Sequence, residues 1–117
     1  MNIDKSILII DDEENMRHML TVLADRAGYV TKTAADGLQA LDLLAEENFD
    51  FILCDVKMPN MDGMEFLKAS AERRGNATVI MMSAYGTIDL ALEGMKYGAY
   101  DFISKPFKAD EVTMTLR

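Results

Sequence analysis

The chain has 117 residues, enough for one domain with a single apolar core. Its 20 acidic residues outnumber 12 basic ones, for a net charge of −8, which argues against the clustered lysine and arginine of a nucleic-acid-binding surface. A lone cysteine, Cys54, excludes an internal disulfide and fits a reducing cytoplasm; no signal peptide is visible, and no apolar run approaches a membrane span.

In chain order, Ser6-Ile7-Leu8-Ile9-Ile10 is an apolar run that stops at four acids, Asp11, Asp12, Glu13 and Glu14. A strand buried on both faces of a parallel sheet reads this way. Over residues 14–27, Met16, Met19, Leu20, Leu23 and Ala27 recur at helical spacing, and Gly28 closes that helix. Residues 29–34 alternate and are rich in β-branched side chains, so they read as a strand. Asp36-Gly37 opens a second helix, with Leu38, Leu41, Leu44 and Ala45 on one face.

Residues 49–54 form the central apolar strand, which ends abruptly at Asp55. Pro59-Asn60-Met61-Asp62-Gly63 is a loop of turn residues. A third helix is expected over residues 64–73, with Phe66 and Leu67 inward, broken by Gly75-Asn76. Residues 77–82 are another apolar strand, ending at Ser83-Ala84-Tyr85-Gly86. Thr87 is placed to cap a helix reaching about residue 97, with Ile88, Ala91, Leu92 and Met95 as its apolar positions; Gly98 ends it. A short strand over residues 100–104 stops at Lys105-Pro106, and a last helix from about Asp110 looks truncated at Arg117.

Five alternating β/α units predict a parallel α/β sheet covered on both faces. Ligands of such sheets bind outside the carboxyl ends of the strands. That rim collects Asp11 and Asp12, Asp55, Ser83 and Lys105 from distant parts of the sequence. A carboxylate there is either a reacting group or a metal ligand. Three carboxylates together repel one another unless a cation binds, and hard oxygen ligands suit Mg2+ or Ca2+. A lysine and a hydroxyl complete a phosphate site. The set therefore points to phosphoryl transfer onto Asp55 as nucleophile, with no histidine or second base placed to drive rapid hydrolysis.

Asp11-Asp12, the stretch from Asp55 to Gly63 (DVKMPNMDG), Ser83-Ala84 and Lys105-Pro106-Phe107 together resemble the receiver domain of bacterial two-component response regulators. The resemblance covers essentially the whole chain, and residues 82–86 with 98–107 look most like receivers of the NtrC type, which precede sigma-54-activating ATPase domains. It implies a flavodoxin-like (CheY-like) fold with five helices and strand order 2-1-3-4-5. It implies that Asp55 accepts phosphate from a sensor histidine kinase. Asp12 and Asp55 would bind Mg2+ directly, with the backbone carbonyl of Lys57, and Asp11 would act through water. Ser83 and Lys105 would hold phosphoryl oxygens, and the Lys105-Pro106 peptide would be cis. Ser83 and Phe102 would be the switch pair, reshaping the face of the fourth helix, fifth strand and fifth helix for a homodimer or an effector domain, the effector lying outside this chain. Asn15, Met16, Met19 and Pro106 would meet the kinase. The domain would be a switch, catalysing only its own phosphorylation and slow dephosphorylation, rather than an enzyme. Phenylalanine at 102 stands where tyrosine is commoner, and Ser83 where threonine is commoner.

Two other classes fit less well. A haloacid-dehalogenase-type phosphohydrolase wants a second aspartate two residues after the nucleophile, and that place holds Lys57. A flavin or nucleotide binder wants a glycine- or hydroxyl-rich loop after the first strand, and four acids there would repel phosphate. Residue by residue, Asp11 to Glu14 also suit a helix N-terminus, Cys54 reads as a small core residue, and His18 as an exposed one.

Overall fold

The computed structural model describes residues 5–83 and 88–104. Five parallel strands lie in the order β2-β1-β3-β4-β5, as expected: β1 Ser6–Ile10, β2 Val30–Ala34, β3 Phe51–Asp55, β4 Thr78–Ser83 and β5 Ala99–Ser104. Four helices alternate with them, α1 Glu14–Arg26, α2 Gly37–Glu46, α3 Gly63–Ala69 and α4 Ile88–Lys96. Ala84, Tyr85 and Thr87 lie outside the described residues, as do Lys105, Pro106 and the expected last helix.

The apolar runs of β1, β3 and β4 are interior strands, and alternate residues feed two cores. Ile7, Ile9, Leu53, Ile80, Met82 and Ile103 pack with Leu20 and Ala24 of α1 on one face. Leu8, Ile10, Ile52, Cys54, Val79 and Met81 pack with α2 and α3 on the other, through Ala40, Leu44, Met64, Phe66 and Leu67. Burying one large side chain such as Phe66 contributes about 1.5–3 kcal/mol, so these two layers fix the sheet's position. β2 is one of the two edge strands, which explains its weaker apolar signal: Val30 is exposed.

Several expected details differ. The central strand begins at Phe51 rather than 49 and keeps Asp55 as its last residue, because Asp55 is in register with Met82 of β4. In α2, Leu38 and Ala45 face solvent; the inward positions are Gly37, Ala40 and Leu44. Small residues face inward there because the next loop lies close: a Cβ on Gly37 would stand 2.8 Å from Met61 Cγ. In α4, Leu92 and Met95 are exposed, whereas Gly94 is buried within 3.8 Å of Met64 Cε, measured from where a Cβ would sit.

Helix α3 ends at Ala69, not near residue 73. Arg74 accounts for this stop. Its Nη1 donates to the Leu67 carbonyl (2.5 Å) and to Ser70 Oγ (3.0 Å), and its Nη2 donates to the Tyr97 carbonyl (2.7 Å). One guanidinium thus satisfies carbonyls at the C-terminal ends of α3 and α4, where the helix dipole favours a cation. Burial lowers the Arg74 pKa.

Candidate functional site

Parallel pairing aligns the carboxyl ends of the strands along one rim. Ile10 is in register with Cys54, and Asp55 with Met82, so the residues that follow β1 meet those that end β3 and β4. Asp11 is 0 % exposed, Asp55 6 % and Ser83 2 %, whereas Asp12 faces solvent. Carboxylate oxygens of Asp11, Asp12 and Asp55 lie within 4.8 Å of one another, making them the acidic cluster with metal-ligand spacing among the described residues. Two buried acids and one open to solvent make a site with a closed floor and an accessible mouth.

Local bonds hold each part. The Asp11 amide donates to the Ala34 carbonyl of β2 (3.1 Å), and Asp11 Oδ1 accepts from the Glu13 amide (3.0 Å), which turns the chain into α1. Arg17 of α1 donates from Nη1 to the Asp11 carbonyl (2.7 Å), bringing a cation to the acidic rim. Beyond β3, the Val56 amide donates to the Met82 carbonyl (2.9 Å), fastening the start of the loop to β4.

The loop closes on its own origin. The Gly63 amide donates to the Val56 carbonyl (2.7 Å), and a Cβ at Gly63 would fall 2.1 Å from the Asp55 carbonyl oxygen. No side chain fits there, so Gly63 is what lets α3 begin against the end of β3. Asp62 caps α3 by accepting from the Glu65 amide (2.8 Å), while Glu65 Oε1 accepts from the Asp62 amide (3.2 Å). Gly63 belongs to the motif recognised in the sequence, but its packing role is visible only in three dimensions.

At mid-loop, Asn60 has φ 66°, in the left-handed region that asparagine tolerates. Its Nδ2 donates to Asp36 Oδ2 (2.8 Å), and Asp36 Oδ1 accepts from the Gln39 amide (2.9 Å) at the start of α2. These two bonds, the Gln39 amide first, hold the Asp36 carboxyl below its ordinary range. Sequence reading gave Asp36 only as a helix opener and Asn60 only as a turn residue.

The remaining expected residues fall as follows. Lys57 is exposed on the loop directly after Val56. Phe102 is half-buried on β5, opposite Met81, and packs on the α2–α3 side of the core. Asn15 and Met19 are exposed on α1, and Met16 is half-buried and packs against the core on the α1 side of the sheet. His18 is exposed. Cys54 is fully buried, with its thiol pKa pushed well up by burial first and by Asp55, Asp11 and Asp62 next. It is a core residue, as read from the sequence. Lys105 and Pro106 lie outside the described residues.

An all-oxygen donor set with three anionic carboxylates fits a hard divalent cation such as Mg2+ and offers nothing to a soft metal. Among the described residues, no helix is long and apolar enough to cross a membrane.

The chain is similar to known proteins. Sporulation initiation phosphotransferase F of Bacillus subtilis (strain 168) is 42% identical over 109 residues, covering 93% of this chain and 88% of that protein. Regulatory protein AtoC of Escherichia coli (strain K12), a regulator of the NtrC type, is 39% identical over 111 residues, covering 95% of this chain but only 24% of its own length. A response regulator protein from Burkholderia pseudomallei, solved with a phosphorylated aspartic acid, a calcium ion and citrate, superposes with TM-score 0.90 at 28% identity, covering 97% of this chain and 67% of that one. The family model described as response regulator receiver domain matches residues 7–117, and the chain belongs to that family of signalling domains.

Proposed function

We propose that the chain is a single receiver domain in which Asp55 is the phosphoacceptor, and that its phosphorylation throws a packing switch read by an output domain. The observation that carries this reading is the convergence of Asp11, Asp12 and Asp55 within 4.8 Å, beside the buried Ser83. Asp12 and Asp55 would hold Mg2+ directly, with the Lys57 carbonyl, and Asp11 would act through water. When bound, the metal supplies positive charge that offsets the carboxylates and the incoming phosphoryl oxygens.

Asp55 Oδ attacks the phosphorus of a kinase phosphohistidine. The Oδ–P bond forms as the N–P bond breaks, and the bonding pair leaves with the imidazole nitrogen, which takes up a proton. A small phosphodonor can stand in for the kinase, so the domain assists its own phosphorylation. Ser83 donates its hydroxyl to one phosphoryl oxygen and Lys105 pairs with another. The only histidine, His18, is exposed on α1 and bears no general base to the site, so hydrolysis is slow. Drawing Ser83 toward the phosphoryl group frees space for Phe102 to turn inward, biasing a bistable element. The face of α4, β5 and the following segment then changes shape for a homodimer or an effector domain. AtoC is about four times as long as the matched stretch, which leaves room there for such an output, and the effect on transcription is proposed by that likeness. Asn15, Met16, Met19 and Pro106 form the kinase-docking edge, and the setting is cytoplasmic.

The test is intact-mass spectrometry after acetyl phosphate and Mg2+, with sizing chromatography alongside. One phosphoryl adduct is expected, absent without Mg2+ and absent in Asp55→Asn. Persistent labelling of that variant would sink the assignment. A beryllofluoride-induced change in elution supports signalling by association; an adduct without such a change moves the output to another domain.

A further inference from the structure

The turn between β2 and α2 touches both halves of the acidic site. Where it leaves β2, the carbonyl of Ala34, the strand's last residue, accepts from the Asp11 amide (3.1 Å), two residues before Asp36 accepts from Asn60 Nδ2 (2.8 Å). Next to Asp36, the Gly37 amide donates to the Met61 carbonyl (3.4 Å), and the Met61 side chain lies flat against the glycine. The loop of residues 56–62 is therefore fastened at its base, by the Gly63 amide on Val56, and at its middle, on this turn. Asn60 sits there in a left-handed conformation, held by an ionised and buried partner.

We propose that Asp36 and Asn60 are a positioning pair for the acceptor site. Their bridge fixes the loop that carries Lys57 against the same turn that fixes Asp11, and so sets the distance between the two sources of metal-binding oxygen. This rests on the reading of Asp55 and Mg2+ given above. Neither residue touches the reacting atoms. They act as outer partners do around metal ligands, where losing an orienting hydrogen bond weakens binding by about tenfold or more.

The alternative role is a plain helix cap with a turn asparagine, and two variants separate the roles. Asp36→Ser keeps an oxygen for the Gln39 amide but cannot reach Asn60. Asn60→Gly keeps the left-handed backbone but loses the amide. Calorimetric titration of the whole chain with Mg2+ alone, beside the rate of acetyl phosphate labelling, reads both. We expect each variant to bind Mg2+ about tenfold more weakly, the double variant to be no weaker than either single one, and labelling at limiting Mg2+ to slow in parallel. The exchange Asp36→Asn with Asn60→Asp rebuilds the bridge with donor and acceptor reversed, and should recover most of the affinity. Unchanged Mg2+ affinity in Asn60→Gly, or additive losses in the double variant, would overturn the pair. A wild-type chain that neither binds Mg2+ nor takes a label would instead bring down the functional reading beneath it.

Discussion

Two aspartates flank β3, and they live in opposite conditions. Asp50 precedes the strand and is exposed; its Oδ2 accepts from the Ser6 amide (2.8 Å), and its carbonyl accepts from the Thr78 amide (2.9 Å). It ties the starts of β1, β3 and β4 together. Asp55 closes the strand, is nearly buried, and shares its space with two more carboxylates. The amino rim of the sheet uses a carboxylate to satisfy donors; the carboxyl rim gathers carboxylates against their mutual repulsion. Three carboxylates crowded together, a closeness that folding alone does not require, are the physical mark of a site.

This contrast can be broken most severely at Gly63. Gly63→Ala puts a methyl into the Asp55 carbonyl, an overlap that a 2.1 Å approach cannot absorb without moving the strand or α3. A loss of about 3 kcal/mol in urea unfolding is expected, with labelling lost as the acceptor shifts. Wild-type stability in Gly63→Ala would mean the loop is free to rise.

The two aspartates should then respond with opposite signs. Asp50→Ala removes a bond to a backbone amide and is expected to lower stability by about 1 kcal/mol while leaving phosphoryl labelling unchanged. Asp55→Asn relieves like-charge crowding and is expected to raise stability by about 1 kcal/mol in EDTA while abolishing labelling. Thermal melts of both in EDTA decide it, and a shift of the same sign in both would erase the distinction.

The smallest effect is acid-dependent. The folded pKa of Asp36 lies below its ordinary 3.8, so its contribution is complete above that value and is lost as pH falls through 3.8 toward the lowered one. Asp36→Ser should therefore flatten the decline in melting temperature between about pH 5 and pH 3 relative to wild type. An unchanged slope would place the acid sensitivity elsewhere.

Much of this was legible in the sequence, and the reasons for success and failure are physical. Ile7 to Ile10 and Ile52 to Cys54 are buried on both faces, so each wrote an uninterrupted apolar run whose end marked the rim. Asp11, Asp12 and Asp55 could be found because strand ends in a parallel sheet coincide. Leu38, Leu92 and Met95 misled, because apolar residues on a helix do not identify the inward face when a glycine or alanine permits closer approach. Gly37, Ala40 and Gly94 were the better guides. The bonds of Arg74 to Tyr97 and of Asn60 to Asp36 join segments distant in sequence. No local pattern announces them, since long polar side chains find such partners only once the sheet has brought the loops together.

The strand order has a kinetic side. β1 and β3 supply the acids and are hydrogen-bonded neighbours, yet the chain builds α1, β2 and α2 between them and lays β2 on the outer flank. Such a pairing closes a long loop before any contact rewards it, which makes it a slow, late kind of event in folding. The three carboxylates therefore meet only when the middle of the sheet is assembled. A nascent or partly unfolded chain has the residues but not the site, so competence to take the signal doubles as a certificate that folding is complete.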